Sequence, residues 1–154
     1  MASGDVTVFH QFKVDLGNKI HDLDTDTYKI GLITSAATPA ANATAPHWGG
    51  TGTTNYATNE VTPGGNYATG GPTLASIDFI NSAGTVPWRA AKVTIAQDAA
   101  NPTNARWGII YNSTDANKRA VAFVDLGSDR DLTTGPFELR FNSVDGVGAI
   151  INVA

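Results

Sequence analysis

Apolar residues alternate with polar or small ones along much of this chain, and the dominant period is two. Residues 27–34, TYKIGLIT, set the rhythm. Tyr28, Ile30 and Leu32 fall on one side and Lys29 and Gly31 on the other, which predicts a strand with one buried face. Further strands are predicted at 73–80 (TLASIDFI), 91–97 (AKVTIAQ), 105–112 (ARWGIIYN), 119–127 (RAVAFVDLG), 136–141 (PFELRF) and 147–153 (VGAIINV). The breaks between them carry turn chemistry: Asn81–Gly84, Asn101-Pro102, Asn112–Asn117, Gly135-Pro136 and Asp145-Gly146. The run AVAFV is apolar on both faces and predicts a central strand, with NSTDANK returning the chain antiparallel to ARWGIIYN.

Residues 6–23 fit two periods. Phe9, Phe12, Leu16, Ile20 and Leu23 recur every three or four positions, as on a helix face; Val6, Val8, Phe12, Val14 and Leu16 also fit alternation. A short helix across roughly 8–21 after an extended start is the favoured reading, with Gly17 weakening it by ~1 kcal/mol.

Residues 35–72 follow neither period. Between Ile30 and Trp88 there is no lysine or arginine, and only Glu60 and Asp78 are charged. A loop beyond ~12–15 residues inside a compact domain is usually functional or disordered. Trp48, Tyr56 and Tyr67 are not residues typical of disorder. The segment reads either as an extended arm that orders against something else or as a plain surface loop.

Together these elements predict one mainly-β domain over 1–154: a jelly-roll-like β-sandwich with a short N-terminal helix and a long low-complexity loop. No internal repeat is visible. A chain of 154 residues can bury a core without staples.

Composition narrows the function classes. There are no cysteines, so disulfides and cysteine-ligated metals are excluded. The net charge of −4 gives no reason to expect nucleic acid. The opening MASGDVTVFHQFK lacks a basic stretch followed by an apolar one, and no apolar run approaches the ~20 residues of a membrane span. These features lead to the expectation of a soluble protein with no signal peptide.

Candidate chemistry is sparse. Asp22, Asp24 and Asp26 have the opening rhythm of a calcium loop. An EF-hand needs glycine at its sixth position and an acid at its twelfth, and counting from Asp22 gives Thr27 and Ile33. A polar turn is the favoured reading, with these aspartates the only weak metal candidates. His10 and His21 would lie ~16 Å apart on a helix, too far to share a metal. His47 sits beside Trp48, where a surface contact is expected. Neither a nucleophile elbow nor a phosphate-binding loop is present. Asp129 and Asp131 around Arg130 read as a charged hairpin tip, and Arg89 and Arg106 beside Trp88 and Trp107 as cation–π or strand packing. No catalytic residues and no cofactor are expected.

Three stretches carry a resemblance: FKVDLGNKIHDLDTDTYKIGLITS, NEVTPGGNYATGGPTLAS and NARWGIIYNSTDANKRAVAFVDLG. Their order resembles a family of tailed-bacteriophage capsid decoration, or cement, proteins. The positions concerned are Asp26, Thr27, Lys29 and Leu32; Asn59, Glu60 and Val61; Tyr67, Gly70, Gly71 and Leu74; then Tyr111 and Gly127. The glycine-rich stretch around 46–58 is the part least matched.

The resemblance implies a jelly-roll-like β-fold made in the host bacterial cytoplasm and placed on the exterior of the virion. Its partner would be an HK97-type major capsid protein, and its role to clamp neighbouring capsomers as a dimer or trimer. Trp48, Tyr56, Glu60 and Tyr67 become candidates for contact with the capsid or a second subunit, and edge strands would be offered to a partner's arm. The alternatives are a tail or other assembly component, or a carbohydrate-binding surface module using Trp48, Tyr56 and Tyr67 as stacking platforms.

Overall fold

A computed structural model of the chain describes residues 5–141 and 147–153. In chain order it contains β1 (Val6–Val8), α1 (His10–Gly17), β2 (Tyr28–Ile33), β3 (Pro46–His47), β4 (Thr54–Asn55) and a 3₁₀ turn (Tyr56–Asn59). There follow β5 (Asp78–Phe79), β6 (Val86–Ala91), β7 (Val93–Ile95), β8 (Ala105–Asn112), β9 (Ala120–Arg130), β10 (Phe137–Leu139) and β11 (Val147–Val153). The fold is mainly β, with α1 its one α-helix among the described residues. The predicted Asp145-Gly146 turn lies outside the described residues.

The most apolar runs make the largest sheet. Its order is β1-β9-β8-β2, all antiparallel. The AVAFV run is central, between β1 and β8, as its two apolar faces require. The turn Asn112–Asn117 returns the chain antiparallel, with Asn112 Oδ1 accepting from the backbone N–H groups of Thr114 (2.9 Å) and Asp115 (3.1 Å). A second sheet has the order β11-β6-β5; β10 pairs with β7; β3 and β4 form a short parallel pair. These sheets remain separate and do not close into a barrel.

The large sheet is buried on both faces. On one side the Tyr28 ring meets Trp88 of β6 edge-on, with centroids 4.8 Å apart, and the Trp88 indole N–H donates to Leu23 O at 2.9 Å. The register puts Gly31, Ile109 and Phe123 together on the opposite side. Phe9 lies against Phe123 and Tyr56 there, and Trp48 stacks on Tyr111. The prediction of one buried face for 27–34 is therefore corrected. Residues 35–72 fold over the side that carries Gly31, and one contiguous apolar cluster reaches from Phe9 to Ile150.

Several predicted boundaries move. The helix covers only His10–Gly17, because Lys19 adopts a left-handed φ of 59° and ends the repeat. Of 73–80 only Asp78–Phe79 is strand in the second sheet; the earlier part runs along β2 instead. β6 is a strand the alternation missed. It holds Pro87, which donates no ladder bond, yet it pairs with both β11 and β5. β9 runs on to Arg130.

Candidate functional site

The residues that carry the resemblance come from segments far apart in the chain, and most of them meet along the outer edge of β2. An edge strand presents unpaired N–H and C=O groups that another chain can claim. Here residues 59–74 claim them. Thr34 N donates to Asn59 O and Val61 N to Leu32 O, both at 3.0 Å; Ile30 N donates to Pro72 O at 3.0 Å and Leu74 N to Tyr28 O at 2.9 Å. Between these contacts Leu32 N–H reaches no backbone carbonyl, and the Tyr67 hydroxyl accepts from it at 2.8 Å. The β2 edge is thus closed by the chain itself.

One carboxylate organises the crossing. Glu60 Oε1 accepts from the Tyr67 hydroxyl at 3.0 Å and from Gly70 N at 2.6 Å. The Tyr111 hydroxyl donates to Gly70 O at 2.8 Å. Burial pushes the Tyr67 phenol well above its ordinary range. Burial, with the Glu60 charge adding to it, pushes Tyr111 up to about 12. Both phenols therefore stay protonated, as donors. Gly71 completes the crossing: its φ is +74°, and a Cβ there would sit 1.9 Å from Ile30 O. No side chain larger than hydrogen fits so close to β2.

Burial redirects the aromatic contact candidates. Trp48 is 4% exposed, Tyr56 3% and Tyr67 1%. Their rings anchor residues 35–72 on the chain's own sheet and leave no stacking platform outside. The arm reading gives way to an ordered cover, because Gly31 leaves a recess that Trp48 fills. Glu60 is half-buried, with the two bonds above.

The three aspartates form a turn. Asp22 Oδ1 accepts from Asp24 N (3.0 Å) and Thr25 N (3.1 Å); hydrogen bonding from the Thr25 side chain, with these two backbone bonds, holds its carboxyl below the usual range. Asp26 Oδ2 accepts from Asp22 N at 3.0 Å and from Asn112 Nδ2 at 2.6 Å. Among the described residues no group of three or more histidines, cysteines and carboxylates could hold a metal, and no helix is long and apolar enough to cross a membrane.

The remaining charged candidates serve local structure. Asp131 Oδ1 accepts from Thr133 N and Oγ1, and Arg130 donates to Leu126 O; the hairpin-tip reading is corrected, because Arg130 ends β9 and the chain crosses to β10, which pairs with β7 in another sheet. Arg89 grips Asp78 with two bonds of 2.7 and 2.6 Å across β5 and β6. Arg106 pairs with Asp125 and lies 4.3 Å over the Trp107 ring. His10 is exposed, whereas His21 and His47 are buried. The expected surface contact for His47 is thereby corrected, since the 51–52 turn covers its ring.

Sequence reasoning missed a second polar cluster, built by Asp15, His21, Asn112 and Arg119. Its members lie in α1, the loop after it and the two ends of the β8–β9 turn. Only the unusual burial of Asp15 and His21 marks them, and no local pattern signals that. Compared with protein-family models, with curated proteins and with solved structures, the chain matches none.

Proposed function

We propose that the chain is a virion structural protein: a capsid decoration protein that binds the outside of an HK97-type icosahedral shell and stabilises capsomer junctions. The observation that supports this reading most is the crossing at β2. Leu32, Glu60, Val61, Tyr67, Gly70, Leu74 and Tyr111, on which the resemblance rests, all take part in it. The shared pattern is thus a packing device that fixes a fold, as suits a family whose work is structural. We read that fold as a jelly-roll-like sandwich.

The cover formed by 35–72 supports the same reading in a new way. With its rings turned inward, it presents Thr38, Asn42, Thr44, Thr53, Thr58 and Thr62 outward, or half so, and no lysine or arginine. Such a surface meets a flat protein face with few charges to desolvate. The partners in this proposal are the major capsid protein and further copies of the chain, as a dimer or trimer. Many weak copies at symmetric junctions add up to firm attachment.

Co-sedimentation of the purified protein with expanded, undecorated capsids of the source phage tests the proposal. Saturable binding to expanded shells and not to compact procapsids is expected, with bound capsids more resistant to heat. Absence of binding would overturn it and favour the tail-component reading.

A further inference from the structure

Near its end β9 swings out of the large sheet. Trp107 pairs with Asp125 and Ala105 with Arg130, so the single residue Arg106 of β8 faces Leu126–Asp129 of β9. A bulge in a strand re-aims its side chains and is common next to active sites. Two sets of bonds hold this one in shape. Asp125 Oδ1 accepts from Gly127 N at 2.6 Å, where Gly127 has a φ of +82°. Arg130 Nε and Nη2 both donate to Leu126 O, at 3.0 and 2.8 Å. Between the bulge and β10 lies a cleft of about 510 Å³. That falls within the roughly 300–1,000 Å³ of small-molecule sites.

Asp125 lines this cleft with a side chain only 10% exposed. Arg106 also donates to Oδ1, and that bond holds the carboxyl below the usual range, so it is ionised. Oδ2 accepts from no group among the described residues and, unlike Asp15 Oδ2, is not sealed from solvent. A charged acceptor pinned through its other oxygen is a fixed anchor for a donor that enters the cleft. Arg130, exposed on the rim, offers the opposite: its Nη1 has no partner among the described residues.

This pairing selects the ligand. Arg106 balances the charge of Asp125, and Lys92 and Arg140 balance Glu138, so the cleft gives an ion of either sign little net attraction. An ammonium would meet Arg130 with donors only, and a carboxylate would meet Asp125 with acceptors only. A neutral sugar carries hydroxyls on adjacent carbons, of which one can donate while the next accepts. Its C–H face suits the apolar side of the cleft, where Pro136 is exposed and Phe137 half-buried.

We propose that the cleft under the β9 bulge binds a neutral hexose unit, with one hydroxyl donating to Asp125 Oδ2 and another accepting from Arg130. The inference is independent of the capsid reading. ¹H–¹⁵N spectra of the intact protein are recorded during titration with the methyl glycosides of glucose, galactose, mannose and N-acetylglucosamine. Acetate and ethylammonium are run in parallel. Saturable shifts at the amides of Gly127, Arg130 and Phe137 are expected with at least one glycoside and with neither ion. Asp125→Asn and Arg130→Gln should each weaken binding about tenfold or more, through loss of a charged hydrogen bond. Both residues also hold the bulge, so a third variant keeps the test sharp. Thr134 is exposed on the rim, and its hydroxyl makes one bond of 3.3 Å, to Asp131 O. Thr134→Trp should block the cleft and abolish the shifts while the rest of the spectrum stays that of the parent.

Absence of shifts, shifts that never saturate, or saturable shifts that survive Thr134→Trp would overturn the proposal. Saturation by acetate or ethylammonium in place of the glycosides would overturn it too, by assigning the cleft to an ion.

Discussion

The indole of Trp48 rests directly on Gly31. A Cβ added at Gly31 would lie 2.2 Å from the ring carbon Cη2 and 2.4 Å from Cζ2. Trp48 is also stacked on Tyr111, with centroids 5.2 Å apart and planes 6° from parallel, so the ring has no room to retreat. Gly31→Ala should therefore destabilise the protein by about 1–3 kcal/mol, the usual cost of overpacking. A lower urea midpoint with an unchanged slope, and a shift of the Trp48 emission, would report it. A midpoint equal to the parent's would show that Trp48 does not sit on Gly31 in solution.

The same contact implies that residues 35–72 are ordered without a partner. Trp48 N donates to Lys118 O at 2.9 Å and Val61 N to Leu32 O at 3.0 Å. Both bonds tie the segment to the central hairpin and its neighbour. Hydrogen exchange on the isolated protein should find these two amides protected nearly as well as those of β8 and β9. Exchange at loop rates would restore the reading of an arm that orders only on a partner.

Tyr67 spans the gap in the β2 ladder with a single hydroxyl. Tyr67→Phe keeps the ring but strips Leu32 N–H of its acceptor and Glu60 of a donor. A buried group left unmet costs about 1–3 kcal/mol. Glu60→Ala removes the acceptor that also holds Gly70 N. Since both changes break one shared contact, the double variant should lose less stability than the two single losses combined, measured as a denaturation cycle. Simple additivity would show that the Tyr67–Glu60 bond contributes nothing.

How much of this was legible in the sequence depended on where a residue's partner lies. β2, β8, the central part of β9 and the Asp22 turn were readable because alternation and turn chemistry are local. The cover over Gly31 was not. Alternation scores a glycine as an empty position, so the face it occupies looked exposed, although a missing side chain is what admits an indole. Trp48, Tyr56 and Tyr67 stood out as contact candidates, but sequence does not say that their contacts lie within the chain's own core. β6 was obscured by Pro87, which local rules assign to an edge. Asp15 carries no local signal, since the Arg119 it faces lies more than a hundred positions away.

The last expectation concerns acid. Burial holds His21 below its ordinary value, and Arg119 adds to this. Asp15 of α1, Asp115 of the β8–β9 turn and Asp26 ahead of β2 oppose it without reversing it. An unfolded chain takes up this proton at about 6.5, before the folded one does. Between those two values the unfolded state binds more protons, so stability falls as the pH falls. The contribution of neutral His21 is fully present above about 6.5 and is lost as the pH drops through the folded value. Asp78 and Asp125 cannot produce this effect. Hydrogen bonds from Arg89 and Arg106 hold them below the carboxylate range, so their contributions persist until about pH 4 and fade only in stronger acid. Urea denaturation at closely spaced pH values should show a loss beginning near 6.5 in the parent and a flatter profile in His21→Gln. An identical decline in both proteins would assign the acid sensitivity elsewhere and show that His21 is charged or solvated in the folded state.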